Sequence, residues 1–265
     1  MNLLKIIDDL QLDKIDQDAF LKPALRRGMF KKASDFSLKA ALTSLPFAMF
    51  ALPKNVQART QANAQSVTDT LNFALTLEYL EEAFYIQGLA KSGLIPATDL
   101  TIFNQIKKHE SSHVAFLKSV LGASAKPSPV FNFGTAFDNY ANFLAIAQVL
   151  EDTGVRAYKG QAGNLITNDV ALTAALQIHS VEARHASEVR RLRGLNGWIG
   201  ANETGASYGV GEDSNFPAEG NLMQGGVDLS IFASADVTMA NIAEAFDEPL
   251  DKNTVLAIAG PFIVA

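Results

Sequence analysis

His109-Glu110-Ser111-Ser112-His113 places a glutamate and a histidine three residues apart, and the same Glu-x-x-His spacing returns at Glu182-Ala183-Arg184-His185. Side chains three apart lie on one helix face, so each pair can reach a common point. Working outward, Glu78 and Glu151 are each followed seven residues later by a tyrosine, Tyr85 and Tyr158. Glu78 and Tyr85 precede Glu151 and Tyr158 by 73 residues, while Glu110 and His113 precede Glu182 and His185 by 72. The chain therefore carries an internal duplication in register.

Helix stops divide the duplicated region into four segments. Ser66 to Lys91 is rich in Leu, Ala and Glu and closes on Gly93, which suits a helix C-terminus. Thr98-Asp99 offers N-cap residues for a second segment that stops at Leu121, before Gly122. Thr135 opens a third, running to about Gly160 or Gly163. Thr167-Asn168-Asp169 caps a fourth that ends at Gly194, with Arg190, Arg191 and Arg193 at the negative end of the helix dipole. Helices of this length run roughly 36 Å and match one another well enough to bundle. The first and last links are short, which predicts antiparallel neighbours, whereas the loop 122–134, with Pro127 and Pro129, can span up to ~43 Å. An all-α four-helix bundle with one long crossover follows.

Periodicity turns the four glutamates inward. Glu78 lies in line with Leu71, Ala74, Leu75 and Tyr85, and Glu110 with Phe103, Ile106, Val114 and Leu117. Glu151 lines up with Leu144, Ala147, Val155 and Tyr158, and Glu182 with Ala175, Ile178, Ala186 and Val189. Buried carboxylates repel one another and lose hydration unless cations neutralise them, and two divalent ions would balance four. The expected ligands are Glu78, Glu110, His113, Glu151, Glu182 and His185. Glu81 and Glu82 are alternatives to Glu78, which alone keeps the repeat spacing and the alignment with Tyr85. Tyr85 and Tyr158 either fill the bundle or hydrogen-bond a ligating carboxylate. His109 and His179 read as flanking polar residues. His-Glu-x-x-His is also the zinc-protease signature, but that reading leaves the matched residues of the other three helices without a role, and Val181 stands where the second copy would need its first histidine.

Composition narrows the chemistry further. The 265 residues contain no cysteine, so any metal must sit on oxygen and imidazole ligands. A net charge of -6 argues against nucleic acid as a partner. No apolar run reaches the ~18 to 20 residues of a membrane-spanning helix, and the body of the protein is expected to be soluble.

The segment Leu71-Asn72-Phe73-Ala74-Leu75-Thr76-Leu77-Glu78-Tyr79-Leu80-Glu81-Glu82-Ala83-Phe84-Tyr85, with His109 to His113 and Glu182 to His185, resembles the ferritin-like superfamily, and more closely the bacterial and plant desiccation-related ferritin-like proteins. The resemblance covers about residues 66–194. It implies two iron or two manganese ions and reaction with dioxygen or peroxide, as in bacterioferritin, rubrerythrin and manganese catalase. On this basis a di-iron oxidoreductase of ferroxidase or oxidative-stress type is the leading expectation, with Glu78, Glu110 and His113 mainly on one ion, Glu151, Glu182 and His185 mainly on the other, and carboxylates bridging. Manganese-catalase-like peroxide dismutation is one alternative; a non-catalytic, metal-stabilised stress-protection protein is another. Rubrerythrin's cysteine-ligated iron site cannot be built here.

The flanks read differently. Residues 1–60 form an extension whose Arg26-Arg27-Gly28-Met29-Phe30-Lys31-Lys32, followed by a moderately apolar stretch and Val56-Gln57-Ala58, resembles a twin-arginine export signal. That implies a periplasmic or cell-envelope location; an amphipathic extension on a cytoplasmic protein is the alternative. Residues 195–234 form a Gly-rich stretch that is packed over the bundle, used in assembly or disordered, and residues 235–265 read as two short helices around Pro249, expected to dock on the bundle or on a second subunit of a homo-oligomer.

Overall fold

A computed structural model describes residues 66–201 and 219–264. Four long helices dominate: α1 (Val67–Ala90), α2 (Leu100–Leu121), α3 (Tyr140–Gln161) and α4 (Asp169–Leu192). Ser66 caps α1 by accepting from the Asp69 amide, and Asn168 caps α4 by accepting from the Ala171 amide; each satisfies an N–H that the helix leaves without a partner. Gly93 and Gly194 follow α1 and α4 at φ 74° and 75°, the left-handed conformation that ends a helix. α1 packs along α2, α3 along α4, and α1 against α3 joins the pairs. This is the all-α four-helix bundle expected from the sequence.

Two details differ. α3 begins at Tyr140, not Thr135, because Asn139 takes the cap and accepts from the Asn142 amide at 2.9 Å. Residues 134–137 form a turn instead, and its apolar residues imitate helical periodicity because Phe133 and Phe137 pack on Phe84. Asp99 does not cap α2 with its side chain; it accepts from the Tyr140 hydroxyl at 2.6 Å and ties the start of α2 to that of α3.

The C-terminal segment straps the bundle. A hairpin of β2 (Met223–Gln224) and β3 (Val227–Asp228) turns on Gly225 and Gly226, both at positive φ. Then come the two short helices, α5 (Met239–Ala243) and α6 (Lys252–Ala259), the latter against α3. The chain's end adds a strand the sequence did not announce: β4 (Ile263–Val264) pairs antiparallel with β1 (Val130–Phe131) in the crossover. Buried arginines fix this strap and the segment that follows α4. Arg156 donates to the Glu248 carbonyl at 2.7 Å and pairs with Glu219 at 2.9 Å. Arg190 pairs with Asp152 at 2.8 Å and donates to the Trp198 carbonyl at 3.1 Å.

Among the described residues no helix is long and apolar enough to cross a membrane. The amino-terminal export reading, and the part of the Gly-rich stretch at 202–218, lie outside the described residues.

Candidate metal centre

Each of the four helices delivers one glutamate to the same level of the core: Glu78 from α1, Glu110 from α2, Glu151 from α3 and Glu182 from α4, all 0% exposed. The two histidines follow on the faces of α2 and α4, one turn past their glutamates. His113 Nδ1 lies 3.0 Å from Glu110, 3.1 Å from Glu78 and 3.1 Å from Glu182. His185 Nδ1 lies 2.9 Å from Glu110, 3.3 Å from Glu182 and 3.4 Å from Glu151. All six sequence-nominated side chains therefore meet, and both histidines aim Nδ1 inward.

Their donor atoms fall into two overlapping groups. Glu78, Glu110, His113 and Glu182 can bring one atom each within 4.8 Å of one another, as can Glu110, Glu151, Glu182 and His185. Glu110 and Glu182 belong to both groups. This refines the division expected from the sequence, in which Glu182 served mainly the second ion. The reason is geometric: α2 and α4 each carry a Glu-x-x-His pair, and both glutamates reach the midline while each histidine stays on its own side.

The tyrosines cross the duplication. Tyr85 of α1 donates to Glu151 of α3, and Tyr158 of α3 donates to Glu78 of α1. Each hydroxyl occupies one oxygen of its carboxylate and fixes the orientation of the other. Packing and hydrogen bonding are thus both realised, since both rings are buried.

The electrostatics describe a site short of positive charge. Burial, with the Glu182 charge beside it, pushes Glu110 up to about 8, and burial pushes Glu151 up to about 7 against an opposing pull from His185. Burial and Glu182 raise Glu78 as well. For Glu182 burial alone would do the same, but hydrogen bonds and charge from His113 and His185 win and hold it down at about 2. Burial opposes the histidine charges too, yet hydrogen bonds donated to Glu110, Glu182 and Glu78 carry His113 up to about 12. His185 is raised in the same way by Glu151 and Glu110. Oxygens of Glu110, Glu151 and both of Glu182 are fully buried and share only the two histidine Nδ1 atoms, at 2.9 to 3.4 Å, as polar neighbours. Such atoms are costly unless they meet a cation. The donor set, all carboxylate and imidazole, is compatible with a di-metal site.

Two contributors were not legible as such. His109, read as a flanking residue, places Nδ1 2.8 Å from His185 Nε2, stacks on that ring, and reaches Gln105 at 2.7 Å through its other nitrogen. It thereby fixes which nitrogen of His185 faces the cluster. Glu81 is a fifth buried carboxylate, held well above its ordinary pKa by burial and then by Glu182, Glu151, Glu78 and Glu110. It has room because its duplicate position is Gly154, where a Cβ would stand 3.0 Å from the Glu81 Oε1. Glu82, the other alternative ligand, is only half-buried. His179, by contrast, donates from Nδ1 to the Val155 carbonyl at 2.9 Å.

A bundle whose four helices enclose a shared carboxylate and histidine cluster defines the class of ferritin-like domains. Comparison with known families agrees: the family described as "Ferritin-like domain" matches residues 66–195, and this part of the chain belongs to it. No curated protein matches the chain.

Proposed function

We propose that the cluster holds two metal ions, iron in the first place and manganese as the alternative, and that the protein is a ferroxidase-type or oxidative-stress oxidoreductase acting with dioxygen or peroxide. The observation that carries this is the pair of overlapping four-donor groups sharing Glu110 and Glu182. Glu78 and His113 would complete one ion's protein ligands, Glu151 and His185 the other's. Bound there, two Fe(II) ions would supply two electrons, which with two protons would reduce one dioxygen to hydrogen peroxide.

The chain's own residues prepare that chemistry. Tyr85 and Tyr158 hold Glu151 and Glu78 in place, His109 holds His185, and the buried walls keep bulk water away from the carboxylates. Glu81, whose pKa burial and the neighbouring carboxylates raise, stands beside the cluster as a further carboxyl group. The Arg26-Arg27 segment supports export to the cell envelope; the chain found only in the cytoplasmic fraction would count against that part.

Loading the purified chain with Fe(II) without oxygen, then mixing with air-saturated buffer, tests the reaction. Oxidation faster than that of free Fe(II), and lost in Glu182→Ala/His185→Ala, is expected. Metal binding without faster oxidation or peroxide turnover would instead favour the metal-stabilised, non-catalytic reading.

A further inference from the structure

The duplication is broken in one place that matters. Around Tyr85 stand three fully buried rings, Phe84, Phe103 and Phe143, with centroids 5.3, 6.0 and 6.2 Å from its own. Shifted by the repeat spacing of 73 residues for α1 and α3 and 72 for α2 and α4, their counterparts around Tyr158 are Ala157, Ala175 and Thr70. Three rings on one side of the centre are matched by two methyl groups and a threonine on the other. Ala157, Ala175 and Thr70 all line a cavity of about 30 Å³ that also touches Tyr158 and Leu77. Its rim carries Phe116, Val120 and Val170, which are exposed.

The walls are almost wholly apolar. Tyr158 spends its hydroxyl on Glu78, and the Gln161 side-chain oxygen accepts from Asn164 at 2.8 Å. The buried Thr70 hydroxyl has no hydrogen-bond partner among the described residues. Beyond that hydroxyl and the Gln161 amide the lining offers water few partners, whereas a buried water needs two to four, and apolar cavities take up apolar gases. About 30 Å³ exceeds the ~10 to 15 Å³ needed for one water-sized body, which leaves space for a diatomic molecule. Hydrogen peroxide, with donors and acceptors at both ends, would lose its hydration there with little in return.

We propose that this cavity is a binding site for dioxygen, which places it against Tyr158 on the Glu78 side of the centre. The proposal rests on the di-metal reading for its function but not for the existence of the site. It narrows the oxidant to dioxygen and makes the two halves of the centre unequal: the Tyr85 side is sealed by rings and the Tyr158 side is open to a small apolar molecule.

Xenon tests the site without any turnover. Xenon NMR or xenon-pressurised crystals of the full chain should place xenon between Ala175, Thr70 and Tyr158, and Ala175→Phe, which restores the ring of the other half, should remove it. In the same variant, with metal content equal to wild type, single-turnover Fe(II) oxidation by dioxygen should slow about ten-fold while oxidation by hydrogen peroxide changes by less than about two-fold. Ala175→Leu serves if the phenylalanine does not fold. No xenon in the wild-type cavity overturns the proposal, as does an unchanged dioxygen rate in a filled variant or equal slowing with both oxidants. If the wild type oxidises no iron, the oxidoreductase reading fails, and the xenon result alone then upholds or removes the apolar site.

Discussion

At the scale of single residues, the centre is a set of side chains whose orientation is fixed by neighbours outside the ligand list. Tyr158 on Glu78 and His109 on His185 are the clearest cases. Tyr158→Phe and His109→Phe should each weaken metal binding roughly ten-fold, read by competition with a chelator, with helix content unchanged. Protonation sets a second expectation. Glu110 and Glu151 are held at about 8 and about 7 against an ordinary 4.5, so the stability they lend the metal-free fold is present below 4.5 and lost as pH rises through those values. Glu182 works the other way: held at about 2, it lends stability above 4.5 that is lost as pH falls toward 2. Binding a divalent ion strips protons from Glu110, Glu151 and His113, so it tightens as pH rises. The gap in Tm between metal-loaded and metal-free protein should therefore widen from about pH 5.5 to about pH 8; a constant gap would contradict this ionisation pattern. The six cluster residues were legible because Glu-x-x-His is a local pattern and recurs. His109 was not, and Glu81 only as an alternative to Glu78, because their roles depend on which residues of other helices they face: His185 across the α2–α4 interface, and Gly154 across from α1.

At the scale of elements, helix boundaries followed their caps where the cap was local, at Ser66, Asn168 and Gly194, and failed where a tertiary contact competed. Asp99 gave its carboxylate to Tyr140, and Phe133 and Phe137 were drawn into an aromatic cluster instead of a first helical turn. The strap over α3 is the other element-scale result. The Leu250 amide donates to the Arg156 carbonyl at 3.1 Å, and a Cβ at Gly160 would lie 1.9 Å from the Leu250 carbonyl oxygen. Backbone cannot swing aside as a side chain can, so Gly160→Ala should displace the strap and cost about 3 kcal/mol in urea unfolding. Gly163→Ala, which meets nothing within 4 Å, is the control and should stay within about 0.5 kcal/mol of wild type.

At the scale of the whole molecule, the bundle was legible as four periodic segments with short, long and short links, whereas the closing strand was not: a two-residue pairing of Ile263–Val264 with Val130–Phe131 joins positions far apart in sequence and leaves no local pattern. The strand pins the crossover, Arg156 pins the strap, and the carboxylates at the centre are offset in the metal-free fold only by His113, His185, Tyr85 and Tyr158. The most direct test of that account is an anaerobic titration of the full chain with Fe(II) and, separately, Mn(II), beside Glu182→Ala/His185→Ala, with bound metal measured after desalting. About two ions per wild-type chain, and loss of both in the variant because Glu182 borders both groups, is the predicted result. Equal metal content in the two proteins, or none in either after loading, would contradict it.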